Sequence, residues 1–138
     1  MPHPLALRTV AVAAAGGAIG VFARALIVLP IDDPAAAAWA TMGVNALGSL
    51  LLGIVVGWLD DRRPLLRGFL GTGVLGGFTT YSAFAVQTVG MAAEAPLHAL
   101  MLVAASLGAG VLGAAMGLAI GRRLVDAPGG MEPVEAAE

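Results

Sequence analysis

Residues 68–84 read Gly-Phe-Leu-Gly-Thr-Gly-Val-Leu-Gly-Gly-Phe-Thr-Thr-Tyr-Ser-Ala-Phe. The stretch carries no charge, and five of its first ten residues are glycine, at 68, 71, 73, 76 and 77. It is too apolar for a surface loop. It is also poorly suited to a lipid-facing helix, because glycine weakens helices and Thr79-Thr80 competes for backbone hydrogen bonds. Non-helical backbone survives at membrane depth only where protein or a polar cavity satisfies the freed groups. The reading is a broken helix whose freed carbonyls suit a hard cation; the bland alternative is a kinked helix.

The rest of the chain supports a membrane setting. Of 138 residues 59% are hydrophobic and 12% charged, against roughly a quarter charged in a soluble domain. The mean hydropathy is +0.91. A soluble enzyme and a disordered or nucleic-acid-binding chain are excluded. The length allows one domain. Cysteine is absent, which removes disulfides, thiol catalysis and Cys-ligated metals. All seven cations are arginine, and the net charge is −2.

Charges and prolines divide the chain into four apolar runs, at about 5–29, 35–59, 65–93 and 97–120. At 1.5 Å per residue, each run of about 24 to 29 residues crosses a hydrocarbon core roughly 30 Å thick. The expected fold is an all-α membrane domain over residues 1–125, with a disordered acidic tail at 126–138. The first run is too long, and lacks a convincing cleavage site, for a signal peptide. Gly16/Gly20, Gly53/Gly57 and Gly113/Gly117/Gly121 recur at intervals of four. Such stripes let a second backbone approach closely.

A few polar groups fall inside the spans. Arg24 either marks an ion path or snorkels to the interface. Thr41, Asn45 and Ser49 share one face of the second span, either as an interhelical hydrogen-bond stripe or as donors lining an anion path. Phe78, Tyr81 and Phe84 are three of only seven aromatics and sit at or just after the suspected break. Their electropositive ring edges suit a dehydrated anion, though core packing is the commoner role. Ser82 and Ser106 add hydroxyls, and Gln87 an amide. His98 has no second histidine nearby with which to hold a metal. No acid lies within a span, which argues for a passive path over proton coupling.

Three motifs together resemble one known family, the CrcB/Fluc fluoride channels. Gly16-Gly17-Ala18-Ile19-Gly20 with Arg24 is similar to their first-helix motif. Thr41-Met42-Gly43-Val44-Asn45-Ala46-Leu47-Gly48-Ser49 is similar to T-x-x-V-N-x-x-G-S in the second helix. Residues 68–84 are similar to G-F-x-G…G-G-F-T-T-F-S-T-F in the third. The resemblance covers nearly everything but the tail. It implies an antiparallel dimer of four-helix subunits that lets fluoride leave the cell passively. It also implies a structural, untransported Na⁺ at the dimer centre, on the carbonyls of Gly76 and Thr79. The ion pathway would be formed by Asn45, Tyr81, Phe84, Thr41, Ser82, Ser106 and Arg24. Three positions depart from the family pattern. Tyr81 replaces a phenylalanine, Gln87 stands where an acid is often found, and Leu102 stands where tyrosine is usual.

Two other readings compete. A small multidrug exporter also has four spans, but it needs a carboxylate in the first, where this chain has Arg24. A non-conducting accessory subunit leaves the Asn45 stripe and residues 76–84 unexplained. Arg8, Arg62, Arg63, Arg67, Arg122 and Arg123 all fall on the face that carries both termini, and the opposite face has no Lys or Arg. Arginine in short loops stays cytoplasmic, so both termini are expected in the cytoplasm of a cell-membrane protein. The strong bias points to an antiparallel mate that is a paralogue of opposite bias, with the inverted homodimer as runner-up.

Overall fold

The computed structural model describes residues 4–59 and 63–126. Among them, four helices are long and apolar enough to cross a membrane. Helix α1 is Pro4–Val28 and α2 is Pro34–Leu59. The third span is composite: α3 (Pro64–Arg67), a π-helical stretch (Gly68–Leu75), α4 (Gly76–Phe78) and α5 (Tyr81–Glu94). Helix α6 is Pro96–Asp126. Residues 127–138 of the expected acidic tail, and Arg62 with its two preceding acids, lie outside the described residues.

Proline opens all four spans. It lacks the N–H that a first helical turn cannot use, and its φ is already helical. Asp33 caps α2, its Oδ2 accepting from the Ala36 N–H at 2.6 Å. Pro34, Pro64 and Pro96, expected just outside the spans, are their first helical residues, whereas Pro30 follows the end of α1 as expected. At the other end α6 runs past Ile120 to Asp126, with Arg123 in its last turn, where a cation suits the helix dipole.

The helices pair in parallel through glycine. A Cβ on Gly20 would overlap the Val74 carbonyl, and one on Gly16 would come 2.5 Å from the Phe69 oxygen. These contacts weld α1 to the π-helical stretch and α4. In the second pair, a Cβ on Gly117 would overlap the Leu50 carbonyl, and one on Gly57 would stand 2.7 Å from the Leu118 oxygen. Helices α2 and α6 therefore pack backbone to backbone. The glycines of residues 68–77, expected to break the third helix, all remain helical. The interruption is confined to Thr79 (φ −80°, ψ 156°) and Thr80 (φ −150°, ψ 121°), with only a slight bend.

Few large side chains are fully buried: Leu59, Leu102 and Thr41. The outer surface is lined by Val10, Phe22, Leu26, Val111 and Met116, each more than half exposed on the subunit. That apolar surface suits hydrocarbon as solvent. Trp39 and Trp58 lie near the two ends of α2, nineteen residues apart. The interval is about 28 Å of helix, close to the thickness of the hydrocarbon core, and tryptophan favours its two boundaries.

Candidate ion-conduction site

The site is built where α2 meets the two extended residues. Asn45 Nδ2 donates to the Thr80 carbonyl at 3.0 Å, and the Thr80 N–H donates to Asn45 Oδ1 at 2.8 Å. The pair of bonds fixes the amide orientation, because reversing it would set donor against donor. The Thr79 side chain packs against Gly48, where a Cβ would overlap Thr79 Cγ2. Glycine at 48 thus lets the extended pair lie directly on α2.

These contacts redirect the backbone. In a continuous α-helix the Thr80 N–H would reach the Gly76 carbonyl; here it goes to Asn45. The Ala83 N–H would reach the Thr79 carbonyl; here it goes to Thr80 Oγ1 at 3.3 Å, an N-cap. The last helical acceptor is the Leu75 oxygen, taken by the Thr79 N–H at 3.0 Å and also by the Thr79 hydroxyl at 2.9 Å. The carbonyls of residues 76–79 therefore have no helical donors, as at any helix C-terminus, and carry its negative dipole end. Gly76 is exposed on the subunit surface. Helix α5 begins at Tyr81, two residues after Thr79, with its N–H groups at the positive end. Acceptors suited to a cation and donors suited to an anion thus flank Thr80. Among the described residues no group of three or more His, Asp or Glu side chains could hold a metal.

A groove of about 250 Å³ runs beside this junction, lined by Asn45, Gly48, Ser49, Leu52, Thr79, Thr80 and Tyr81. Asn45 spends one of its two N–H donors on Thr80. Tyr81 is 81% exposed, and its ring lies 6.2 Å from that of Phe84 at 48°. The Ser82 hydroxyl sits 3.3 Å from that of Thr80.

The remaining candidates are dispersed. Thr41 is wholly buried, and its hydroxyl donates to the Ala37 carbonyl at 2.9 Å, away from the groove. Ser106 lies on α6 one turn before Gly110, where a Cβ would come 3.7 Å from Ser49 Oγ. Arg24 is one turn beyond Gly20 on α1. Ser106 Oγ, Arg24 Nε and Gln87 Oε1 are buried atoms with no hydrogen-bond partner in the subunit. Leu102 is fully buried in the subunit interior, and His98 is exposed in the first turn of α6. From sequence Thr80 is expected only to weaken the helix, and Gly48 carries no expectation. A hydroxyl residue directly before a helix start signals a cap, which would have singled out Thr80. Nothing local distinguishes Gly48 from the packing glycines.

Residues 11–118 match the CrcB-like protein family, described as Camphor Resistance. A fluoride-specific ion channel, FluC 2, of Thermobifida fusca is 49% identical over 102 residues, covering 70% of this chain and 76% of that one. FluC 2 of Bacillus subtilis is 47% identical over 111 residues, covering 79% and 84%. FluC 1 of Rhodococcus jostii, also named a fluoride-specific ion channel, is 41% identical over 116 residues, covering 84% and 87%. On a match spanning all four helices, this chain belongs to the CrcB-like family.

Proposed function

We propose that the chain is a fluoride-specific ion channel, a multi-pass membrane protein and not an enzyme, through which fluoride leaves the cytoplasm passively. The observation that carries the reading is the junction at Asn45 and Thr80, in a chain whose relatives at 40–49% identity are named fluoride channels. Fluoride is small and strongly hydrated, so a path for it must replace lost water contacts. The second Asn45 N–H, the Ser49 and Ser82 hydroxyls and the ring edges of Tyr81 and Phe84 are suitable donors.

The functional unit is an antiparallel dimer with one structural Na⁺ held by the Gly76 and Thr79 carbonyls. The support for a second copy is Tyr81, which projects from the subunit with 81% of its surface exposed although it lies within a membrane span. The cation reading is supported by carbonyls freed at a negative helix end. A fixed cation there makes the local potential favourable to an anion. Arg8, Arg63, Arg67, Arg122 and Arg123 share the end that holds both termini, which supports cytoplasmic termini in the plasma membrane and a paralogous mate. Relatives named FluC 1 and FluC 2 accord with such a pair.

Liposomes loaded with fluoride or chloride test the function. Rapid fluoride loss without a pH gradient is expected, with little chloride loss. Chloride efflux of similar rate, or strict dependence on a proton gradient, rejects it. Cytoplasm-only and periplasm-only reporters fused at the C-terminus test orientation. Equal signals from both would show dual insertion and favour the inverted homodimer.

A further inference from the structure

We infer that Asn45, beyond facing the ion path, is the positioning residue that creates the cation site. The inference rests on the reading of Gly76 and Thr79 as cation ligands. An α-helix has no free carbonyls in its middle, because each oxygen takes the N–H four residues on. Freeing the Gly76 oxygen requires that the Thr80 N–H be satisfied elsewhere, since an orphaned buried N–H is rarely tolerated. Asn45 Oδ1 supplies that acceptor at 2.8 Å. Its Nδ2 then holds the Thr80 carbonyl at 3.0 Å, which fixes the extended dihedrals of the segment. Thr80 completes the exchange: its hydroxyl takes the Ala83 N–H at 3.3 Å and releases the Thr79 oxygen.

The N–H groups that would close onto Gly76 and Thr79 thus each have an identified side-chain acceptor in place of the carbonyl. Gly76 is relieved by Asn45, and Thr79 by Thr80. The same amide that offers an N–H to the groove keeps the neighbouring segment from reclosing as helix. Cation binding and the anion path are then coupled through one side chain. Removing Asn45 lets the Thr80 N–H return to Gly76 and closes the ligand.

Two substitutions separate the roles. Asn45→Asp keeps an oxygen for the Thr80 N–H and loses the donor; Asn45→Ala loses both. The purified full-length protein is titrated with NaCl against N-methyl-D-glucamine chloride at constant ionic strength, and the thermal midpoint is followed. Wild type should be stabilised by Na⁺. Asn45→Ala should need at least about tenfold more Na⁺ for half its effect. Asn45→Asp should respond at wild-type Na⁺ or lower, while its fluoride efflux is lost to the negative charge in the path. Thr80→Ala should weaken the response and Thr80→Ser restore it. An Asn45→Ala protein with the wild-type half-saturation point overturns the inference, as does Asn45→Asp weakened as much as Asn45→Ala. Wild type indifferent to Na⁺ overturns the cation reading itself and this inference with it. If Asn45→Ala does not fold, the Asn45→Asp and Thr80 variants still decide between these outcomes.

Discussion

Gly48→Ala is the smallest change that should disturb the junction. The added Cβ would overlap Thr79 Cγ2, whereas the next atoms, Phe78 Cδ1 and Thr79 Cβ, stand at 3.5 and 3.8 Å, ordinary contacts. Relief requires Thr79 to move off α2 by roughly 1 Å or more, towards normal carbon–carbon separation. Its neighbour Thr80 is tied to Asn45 by bonds of 3.0 and 2.8 Å, and the same shift would carry both out of range. At about 0.5–1.5 kcal/mol per bond the loss is about 1–3 kcal/mol, matching the usual cost of overpacking. Thr79→Ser removes the obstructing methyl, at about 0.8 kcal/mol or less, and keeps the hydroxyl on Leu75. The double substitution Gly48→Ala with Thr79→Ser should therefore recover most of the loss. SDS unfolding in detergent micelles, followed by the fluorescence of Trp39 and Trp58, gives the four stabilities of the cycle. Fluoride efflux should follow the same order. If the two effects simply add, within about 0.5 kcal/mol, the contact between Gly48 and Thr79 does not hold the junction and the reasoning is refuted.

Other substitutions probe the packing and the path. Gly117→Val, driven into the Leu50 carbonyl, should abolish the folded subunit, whereas Gly108→Val, with nothing within 4 Å, should leave it folded; circular dichroism and gel filtration distinguish the two. Asp33→Ala should cost about 1 kcal/mol through loss of the α2 cap, read by the same SDS unfolding. A Cβ at Gly76 would meet only the Gly71 oxygen at 3.6 Å, so Gly76→Ala should fold normally, and a branched Gly76→Val that crowds the carbonyls should lose Na⁺-dependent stabilisation if they hold the ion. Tyr81→Phe keeps the ring edge and should change fluoride efflux by no more than a few-fold; a near-complete loss would assign the conduction role to the hydroxyl.

The four spans were legible because their signals are long and redundant. Twenty or more apolar residues between charges have few alternatives in water or lipid. The glycine intervals likewise announced close helix pairs, and Gly16, Gly20, Gly53 and Gly57 all meet a facing backbone. What failed was the fine placement inside residues 68–84. Five glycines lower helix propensity, but packing against α1 overrides it, and the stretch is held helical with a π-helical register. The two threonines depart from helix because side chains far apart in sequence, Asn45 and Gly48, receive them. Thr41 shows the same limit from the other side. It shares the helical face of Asn45 by spacing, yet its hydroxyl is satisfied within its own helix and the side chain is fully buried. A period of four identifies a face and leaves open whether that face meets a groove or a neighbouring helix.

The two tryptophans of α2 also measure depth. Gly48 stands nine residues after Trp39 and ten before Trp58, so it lies within about 1 Å of halfway between them along the helix. Thr79, pressed against Gly48, therefore stands midway between the two tryptophans, the depth of the bilayer midplane if they mark its two boundaries. A two-fold axis relating oppositely inserted copies lies in that plane. An ion held by Gly76 and Thr79 in the proposed dimer would share the depth of that axis, and where it lies on the axis itself each copy would supply half of its ligands, one cation for two chains. With a paralogous mate the ion would report on both sequences at once, so a lesion in either chain would empty the shared position.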